Sequence, residues 1–252
     1  MTKSKSLDFK VQDNVGIITL DNAEKFNVVG RTFFEELRDV QQEVLANDTI
    51  KAILILANGK HFSAGIDLNY LNTASSEVMK ERLVGYQQLY SFWETLPIPV
   101  VSAVNGKCIG SGVELILGCD IRIAGEDAKL SLPEVKIGLS PDMGGTTRLT
   151  RLVGYGQAKR LILSCDEISA EEALSIGLVE RVVPTEKLHE EALKYTKKIA
   201  SYPSNSLRFA KKGIQVAQES SLAAGLMYEE AQSIYCCGAD DIKQTINMIL
   251  GK

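Results

Sequence analysis

Apolar and polar positions along the chain alternate between two periods, and each stretch predicts an element. Leu7 to Gln12 and Gly16 to Leu20 are short apolar-rich runs separated by Asp13-Asn14, the signature of two strands joined by a turn. From Arg31 to Ala46, residues Phe33, Phe34, Leu37, Val40, Val44 and Leu45 fall close to helical spacing and predict a helix. Lys51 to Ala57 (KAILILA) is nearly continuously apolar, as expected of a strand covered on both faces. After Asn58-Gly59-Lys60, a loop HFSAGIDL leads to a long helix over about Ser75 to Leu96, which Pro97 and Pro99 stop.

The stretch from Val100 to Arg151 carries the chemistry. An apolar run, Pro99 to Val104, breaks at Asn105-Gly106, and Gly110-Ser111-Gly112 then opens an apolar helix with Glu114 in its first turn. Asp120 to Ala124 reads as another buried strand; Glu134 follows Pro133, and Asp142 follows Pro141 just before Gly144-Gly145. An acid among Val, Leu and Ile is costly to bury as a charge, so it must be paired, shifted in pKa, or used. Acids spaced around glycine turns in this way form a candidate site.

Beyond Gly144 helical periods dominate. Thr147 to Val153, Gln157 to Ser164 and Ala170 to Ile176 are predicted as short helices, the last capped by Ser169 with Glu172 at the capping-box position. Leu178 to Val183 reads as a strand, and Glu186 to Ala200, Ser204 to Gln218, Leu222 to Tyr235 and Asp240 to Leu250 as helices. Strands alternating with helices argue an α/β core. No low-complexity linker interrupts the chain, so the expected organisation is a core over residues 1–190 and a helical C-terminal region over 191–252.

Composition narrows the classes. A net charge of −4 argues against a nucleic-acid partner, and the scattered five cysteines fit a reducing compartment better than a disulfide framework. With His61 and His189 the only histidines, no metal site is expected. The N-terminal MTKSKSLDFKVQDN has no apolar signal segment and no apolar run reaches membrane length, so the expectation is a cytoplasmic protein without a membrane partner.

Four blocks now carry a resemblance: HFSAGIDL from His61, NGKCIGSGVELILGCDIRIAGEDA from Asn105, PEVKIGLSPDMGGTTRLTRLVG from Pro133, and SAEEALSIGLVERVVP from Ser169. In this order and spacing they resemble the crotonase (enoyl-CoA hydratase/isomerase) superfamily. The resemblance implies a spiral of β-β-α repeats, terminal helices that assemble homo-trimers or homo-hexamers, and an acyl group carried as a coenzyme A thioester. Coenzyme A is then part of the substrate, and no cofactor is implied. It further implies that the backbone N–H groups of Ile66 and Ser111 hold the thioester oxygen as it becomes an enolate. Ser111 stands where many relatives have glycine, which a backbone donor tolerates. Two donors aimed at a growing oxyanion are worth about 3–4 kcal/mol each.

Carried over residue by residue, Glu114 and Glu134 match the two glutamates that hydratases of this family use on one water. One carboxylate would help water attack and the other would supply a proton. Asp142 departs from the hydratase pattern: dienoyl-CoA isomerases have an aspartate eight residues after the second acid, the step from Glu134 to Asp142. Those isomerases, however, have aspartate where this chain has Glu114. The expected activity is therefore reversible hydration of a 2-enoyl-CoA, with dienoyl-CoA isomerisation by Asp142 and Glu134 as the alternative. The substrate-binding set also includes Lys25, Ala64, Asp67 and Leu68.

Plainer roles compete for each position. Glu114 could cap a neighbouring helix, Glu134 could be a helix N-terminal acid, and Asp142 could be a turn residue bonded to its own backbone. His61 reads as loop polarity, and Asp67 as a residue that fixes its loop by local side-chain to backbone bonds. Gly110-Ser111-Gly112 lacks the G-x-S-x-G frame of a serine hydrolase. A non-catalytic scaffold of the same fold would not need the three acids.

Overall fold

The computed structural model describes residues 5–251; residues 1–4 and 252, which form the outer ends of the two expected regions, lie outside the described residues. Strands β1 (Leu7–Gln12) and β2 (Val15–Leu20) form the expected hairpin, followed by α1 (Arg31–Leu45) and β3 (Ala52–Ala57). Next come α2 (Leu68–Asn72), α3 (Ser76–Thr95), β4 (Val100–Val104), β5 (Lys107–Ile109), α4 (Ser111–Leu117), β6 (Ile121–Gly125) and β7 (Lys129–Ser131). The second half holds α5 (Gly145–Ser164), β8 (Ile168–Ser169), α6 (Ala170–Ser175) and β9 (Arg181–Val183). Four helices close the chain: α7 (Leu188–Ala200), α8 (Ser204–Glu219), α9 (Leu222–Gly238) and α10 (Asp240–Leu250).

The strands form two sheets. The larger has the order β1-β2-β3-β4-β6-β9, parallel except for the β1–β2 hairpin; the smaller has the order β5-β7-β8. Strands β4 and β6 lie in the first sheet while β5 and β7, which follow them, lie in the second. Each pass of the chain thus lays one strand in each sheet, which is the β-β-α spiral. The continuous apolar run of β3 follows from burial on both faces, with alternate side chains going to opposite cores. Ile53, Ile55 and Ala57 join a cluster with Phe34, Leu37, Trp93 and Ile116. Ala52 and Leu54 join another with Val101, Ile123, Leu188, Ala192 and Ile199, where α7 covers the sheet.

The two helices expected over Thr147 to Val153 and Gln157 to Ser164 are present within α5, separated at Gly154 by non-helical backbone with φ 79° and ψ 163°. Other expectations are corrected. The strand expected from Leu178 starts only at Arg181, because Leu178 N–H turns back to the Ala173 carbonyl at 2.8 Å. Ser169 does cap α6, its hydroxyl accepting from Glu172 N–H at 3.2 Å, but the Glu172 carboxylate pairs with Arg160 instead of completing a capping box. The boundary expected at 190/191 falls inside α7, whose buried Ala192, Thr196 and Ile199 pack on the sheet. That helix belongs with the core.

α8 is fastened to the core by a buried cation. Lys211 Nζ donates to the carbonyls of Trp93 at 2.9 Å and Ile98 at 3.1 Å, and to Asp120 Oδ2 at 2.7 Å. Beyond it the last helices leave large apolar side chains in solvent, including Ile214, Leu222, Met227, Ile234, Met248 and Ile249. Among the described residues no helix is long and apolar enough to cross a membrane.

Candidate active site

Two loops and three helix starts converge on one cavity. Ile66, Ser111, Glu114, Glu134, Asp142 and Met143 line it, together with an apolar wall from α1, α2 and α3. The Ala64–Asp67 loop is pinned on both sides. Val29 N–H donates to Gly65 C=O and Asp67 N–H to Val29 C=O, at 2.8 and 2.7 Å. In that parallel bridge Ile66 spends neither its own N–H nor its C=O, so its amide points away from Val29. Ser63 ties the same loop to β5, accepting from Ile109 N–H at 2.9 Å through its carbonyl, and its hydroxyl accepts from Gly65 N–H at 3.1 Å.

Ser111 is the first residue of α4, where N–H groups have no partner within the helix. Its amide is thus available beside the Ile66 loop, and the helix directs its positive end to the same point. The Ser111 and Tyr90 hydroxyls are buried beside each other.

Glu114 sits one turn into α4 and is 1% exposed. Its Oε1 accepts from the N–H groups of Met143 at 2.8 Å and Gly145 at 3.0 Å, which leaves its second oxygen free of backbone bonds. Burial pushes its pKa up to about 7, opposed by those two N–H groups and aided by the charges of Glu134 and Asp142. Glu134 opens the 3-10 turn Glu134–Ile137. Its approach needs Gly110, because a Cβ there would stand 2.8 Å from Glu134 Oε1. Glu134 Oε2 is buried with no partner in the protein, and burial raises this carboxyl to about 6. The carboxylate also takes its own backbone N–H, as an acid at the start of a helical turn does.

Asp142 also lines the cavity, and its charge raises both glutamates. Burial raises its own pKa, against a bond to its own backbone N–H. That bond is the turn role considered for Asp142, while Glu114 takes the Met143 and Gly145 amides at the start of α5, the capping role considered for it. The backbone around Asp142 is clamped to α3: Gln87 Nε2 donates to Asp142 C=O at 2.7 Å, while Arg148 bonds Met143 C=O, Glu94 and the Ser91 hydroxyl. Among the described residues no group of His, Cys, Asp or Glu is arranged to hold a metal ion.

The remaining residues of the expected set lie elsewhere. Asp67 caps α2, accepting from Asn69 N–H at 2.9 Å and Tyr70 N–H at 3.4 Å. Leu68 is exposed, and Lys25, Ala64 and Leu68 do not line the cavity. Ala64 N–H donates to Phe26 C=O at 2.9 Å, which keeps the exposed Lys25 near that loop. His61 accepts from Lys107 N–H through Nδ1 at 3.1 Å, a loop role. Sequence patterns did not reveal the far wall of the cavity, Phe34, Tyr70, Leu71, Ala74, Met79, Leu83 and Tyr86. These come from three different helices and the α2–α3 connection, and no local spacing marks residues that meet only in the fold.

Known proteins resemble this chain along nearly its whole length. A family model described as enoyl-CoA hydratase/isomerase matches residues 10–252. The short-chain-enoyl-CoA hydratase of Clostridium acetobutylicum is 32% identical, covering 96% of this chain and 93% of its own length. The 2,3-dehydroadipyl-CoA hydratase of Escherichia coli is also 32% identical, covering 96% and 94%. The crystal structure of an enoyl-CoA hydratase from Bacillus anthracis superposes with a TM-score of 0.93 at 32% identity, covering 98% and 96%.

Proposed function

The chain belongs to the enoyl-CoA hydratase/isomerase family, and from that membership we propose that it is an enoyl-CoA hydratase, adding water reversibly to the double bond of a 2-enoyl-CoA. The observation that carries the assignment is the meeting of Glu114 and Glu134 in one cavity with the free amides of Ile66 and Ser111. The thioester oxygen lies at those two amides. Water held by the two carboxyls attacks the β-carbon, and its O–H bond breaks as the proton passes to the ionised carboxylate. The π-electrons of the double bond move to the thioester oxygen as an enolate, where the two N–H donors stabilise them. Collapse of the enolate takes a proton at the α-carbon from the protonated carboxyl. Acids with pKa values of about 6 and about 7 suit the exchange of one proton near neutrality.

Asp142 supports a second activity. Its place on the cavity wall, beside the acyl chain, would let it move a proton at a carbon farther from the thioester, as dienoyl-CoA isomerisation requires. Lys25, near the Ala64–Asp67 loop, is assigned to the phosphates of coenzyme A. The exposed apolar side chains of α8 to α10 support assembly of the protein as a trimer or a dimer of trimers. Following the absorbance of crotonyl-CoA with the parent protein and Glu114→Gln tests the hydratase assignment. Loss of absorbance with the parent and not with the variant is expected; no turnover by the parent overturns it.

A further inference from the structure

The cavity is lined by two unlike sets of residues. In one, the amides and carboxyls fix the thioester and the reacting carbons. The acyl chain must therefore run along the apolar wall of Phe34, Leu71, Ala74, Met79 and Leu83. That wall is interrupted by two phenols. Tyr70 on α2 and Tyr86 on α3 share a hydrogen bond between their hydroxyls at 2.5 Å. The Tyr86 ring stacks on Phe34 with centroids 3.8 Å apart and an interplanar angle of 12°, which fixes the direction of its hydroxyl.

One hydroxyl proton is used in the pair, and the other remains to be donated. Burial and the Tyr70 hydroxyl push Tyr86 up to about 12, so it stays a neutral donor at neutral pH. Arg82 stands four residues before Tyr86 on α3, a spacing that puts both on one helix face; it lies outside the cavity lining, with its guanidinium beside both hydroxyls. Among the described residues no carboxylate forms an ion pair with Arg82. A hydrocarbon terminus would cover the phenol hydroxyls and give them nothing in return. An anionic terminus would accept from them.

We infer that Tyr70, Tyr86 and Arg82 form a subsite for a carboxylate at the far end of the acyl chain, so that the preferred substrate is an ω-carboxy-2-enoyl-CoA. This rests on the hydratase reading, which places the thioester at the Ile66 and Ser111 amides.

Binding of saturated thioesters tests it without turnover. Calorimetry should find adipyl-CoA at least about tenfold tighter than hexanoyl-CoA, which has the same number of acyl carbons, as expected for a charge-assisted contact. Arg82→Ala should bring the two dissociation constants within about twofold by weakening adipyl-CoA alone, and Arg82→Lys should restore part of the preference. Tyr86→Phe, which keeps the stack on Phe34, should also reduce it. Equal or weaker binding of adipyl-CoA by the parent overturns the inference, and so does an unaltered preference in Arg82→Ala. Hydration of crotonyl-CoA by the parent is the separate control. Normal hydration with no preference removes the subsite and leaves the hydratase. A preserved preference without hydration removes the hydratase and leaves the subsite.

Discussion

Gly145 and Glu114 are fitted to each other: the glycine N–H donates to Glu114 Oε1 at 3.0 Å, and a Cβ on that glycine would stand 2.8 Å from the same oxygen. Hydrogen bonding and the missing side chain together place the carboxylate. Gly145→Ala should push Glu114 from its position and meet Pro141 Cβ, 2.6 Å away, as well. We expect kcat to fall at least about tenfold while KM changes less, with a stability loss of about 1–3 kcal/mol typical of overpacking. Steady-state kinetics on crotonyl-CoA and denaturant unfolding read both, and a variant with parental kcat would refute the fit.

Glu114→Gln and Glu134→Gln should each lower kcat by about a hundredfold or more, the usual contribution of a general acid or base. Gln keeps an oxygen for the Met143 and Gly145 amides, so the Glu114 variant should stay folded. Near-parental hydration by either would remove the two-carboxylate mechanism.

Glu114 also sets how stability varies with pH. Its folded pKa of about 7 lies above the ordinary glutamate value of 4.5, so between these values the folded state holds a proton that the unfolded state has released. Stability is therefore highest below about 4.5 as far as this group is concerned, and falls as pH rises through about 7. The full difference is on the order of 3 kcal/mol at one pKa unit per 1.36 kcal/mol. Unfolding at fixed protein concentration should show the parent losing stability between pH 5 and pH 8 more steeply than Glu114→Gln. Parallel curves for the two proteins would contradict the raised pKa.

Activity should follow a bell in pH, with limbs that belong to the carboxyl pair rather than to one residue. Protonation of the pair, near about 6 for Glu134, removes the base; its full ionisation, near about 7 for Glu114, removes the acid. Asp142→Asn takes away a charge that raises both, so the bell should move to lower pH. The same variant decides the second activity. Formation of 2,4-dienoyl-CoA from 3,5-dienoyl-CoA by the parent, abolished in Asp142→Asn, with crotonyl-CoA hydration near background, would rank isomerase above hydratase.

Much of this fold is legible in the chain because its elements are long and strongly patterned. The β3 run, the α1 apolar stripe and the Pro97/Pro99 stop after α3 place those elements within a residue or so. Strands β5 and β7 are three residues each, too short for alternation to register, and they emerge only from pairing in the second sheet. Glu114, Glu134 and Asp142 stand out because charge is rare among apolar neighbours and glycine turns. Tyr70 and Tyr86 do not, since a tyrosine on a helix is ordinary until the partner hydroxyl is known. Lys211 is likewise an unremarkable helix lysine until its ammonium is found beside Asp120.

The Lys211 contact makes the extension a source of countercharge for the core. Asp120 Oδ2 also accepts from Val100 N–H at 2.7 Å, so one carboxylate oxygen fixes the start of β4 and the middle of α8. Burial raises the Asp120 pKa and the neighbouring ammonium holds it down. A chain ending before α8 would leave that carboxylate beside the sheet without its cation, and it would take up a proton more readily. The terminal helices are thus not a detachable module: shortening the protein for expression, or exchanging its tail with that of a relative, would alter the ionisation of the core.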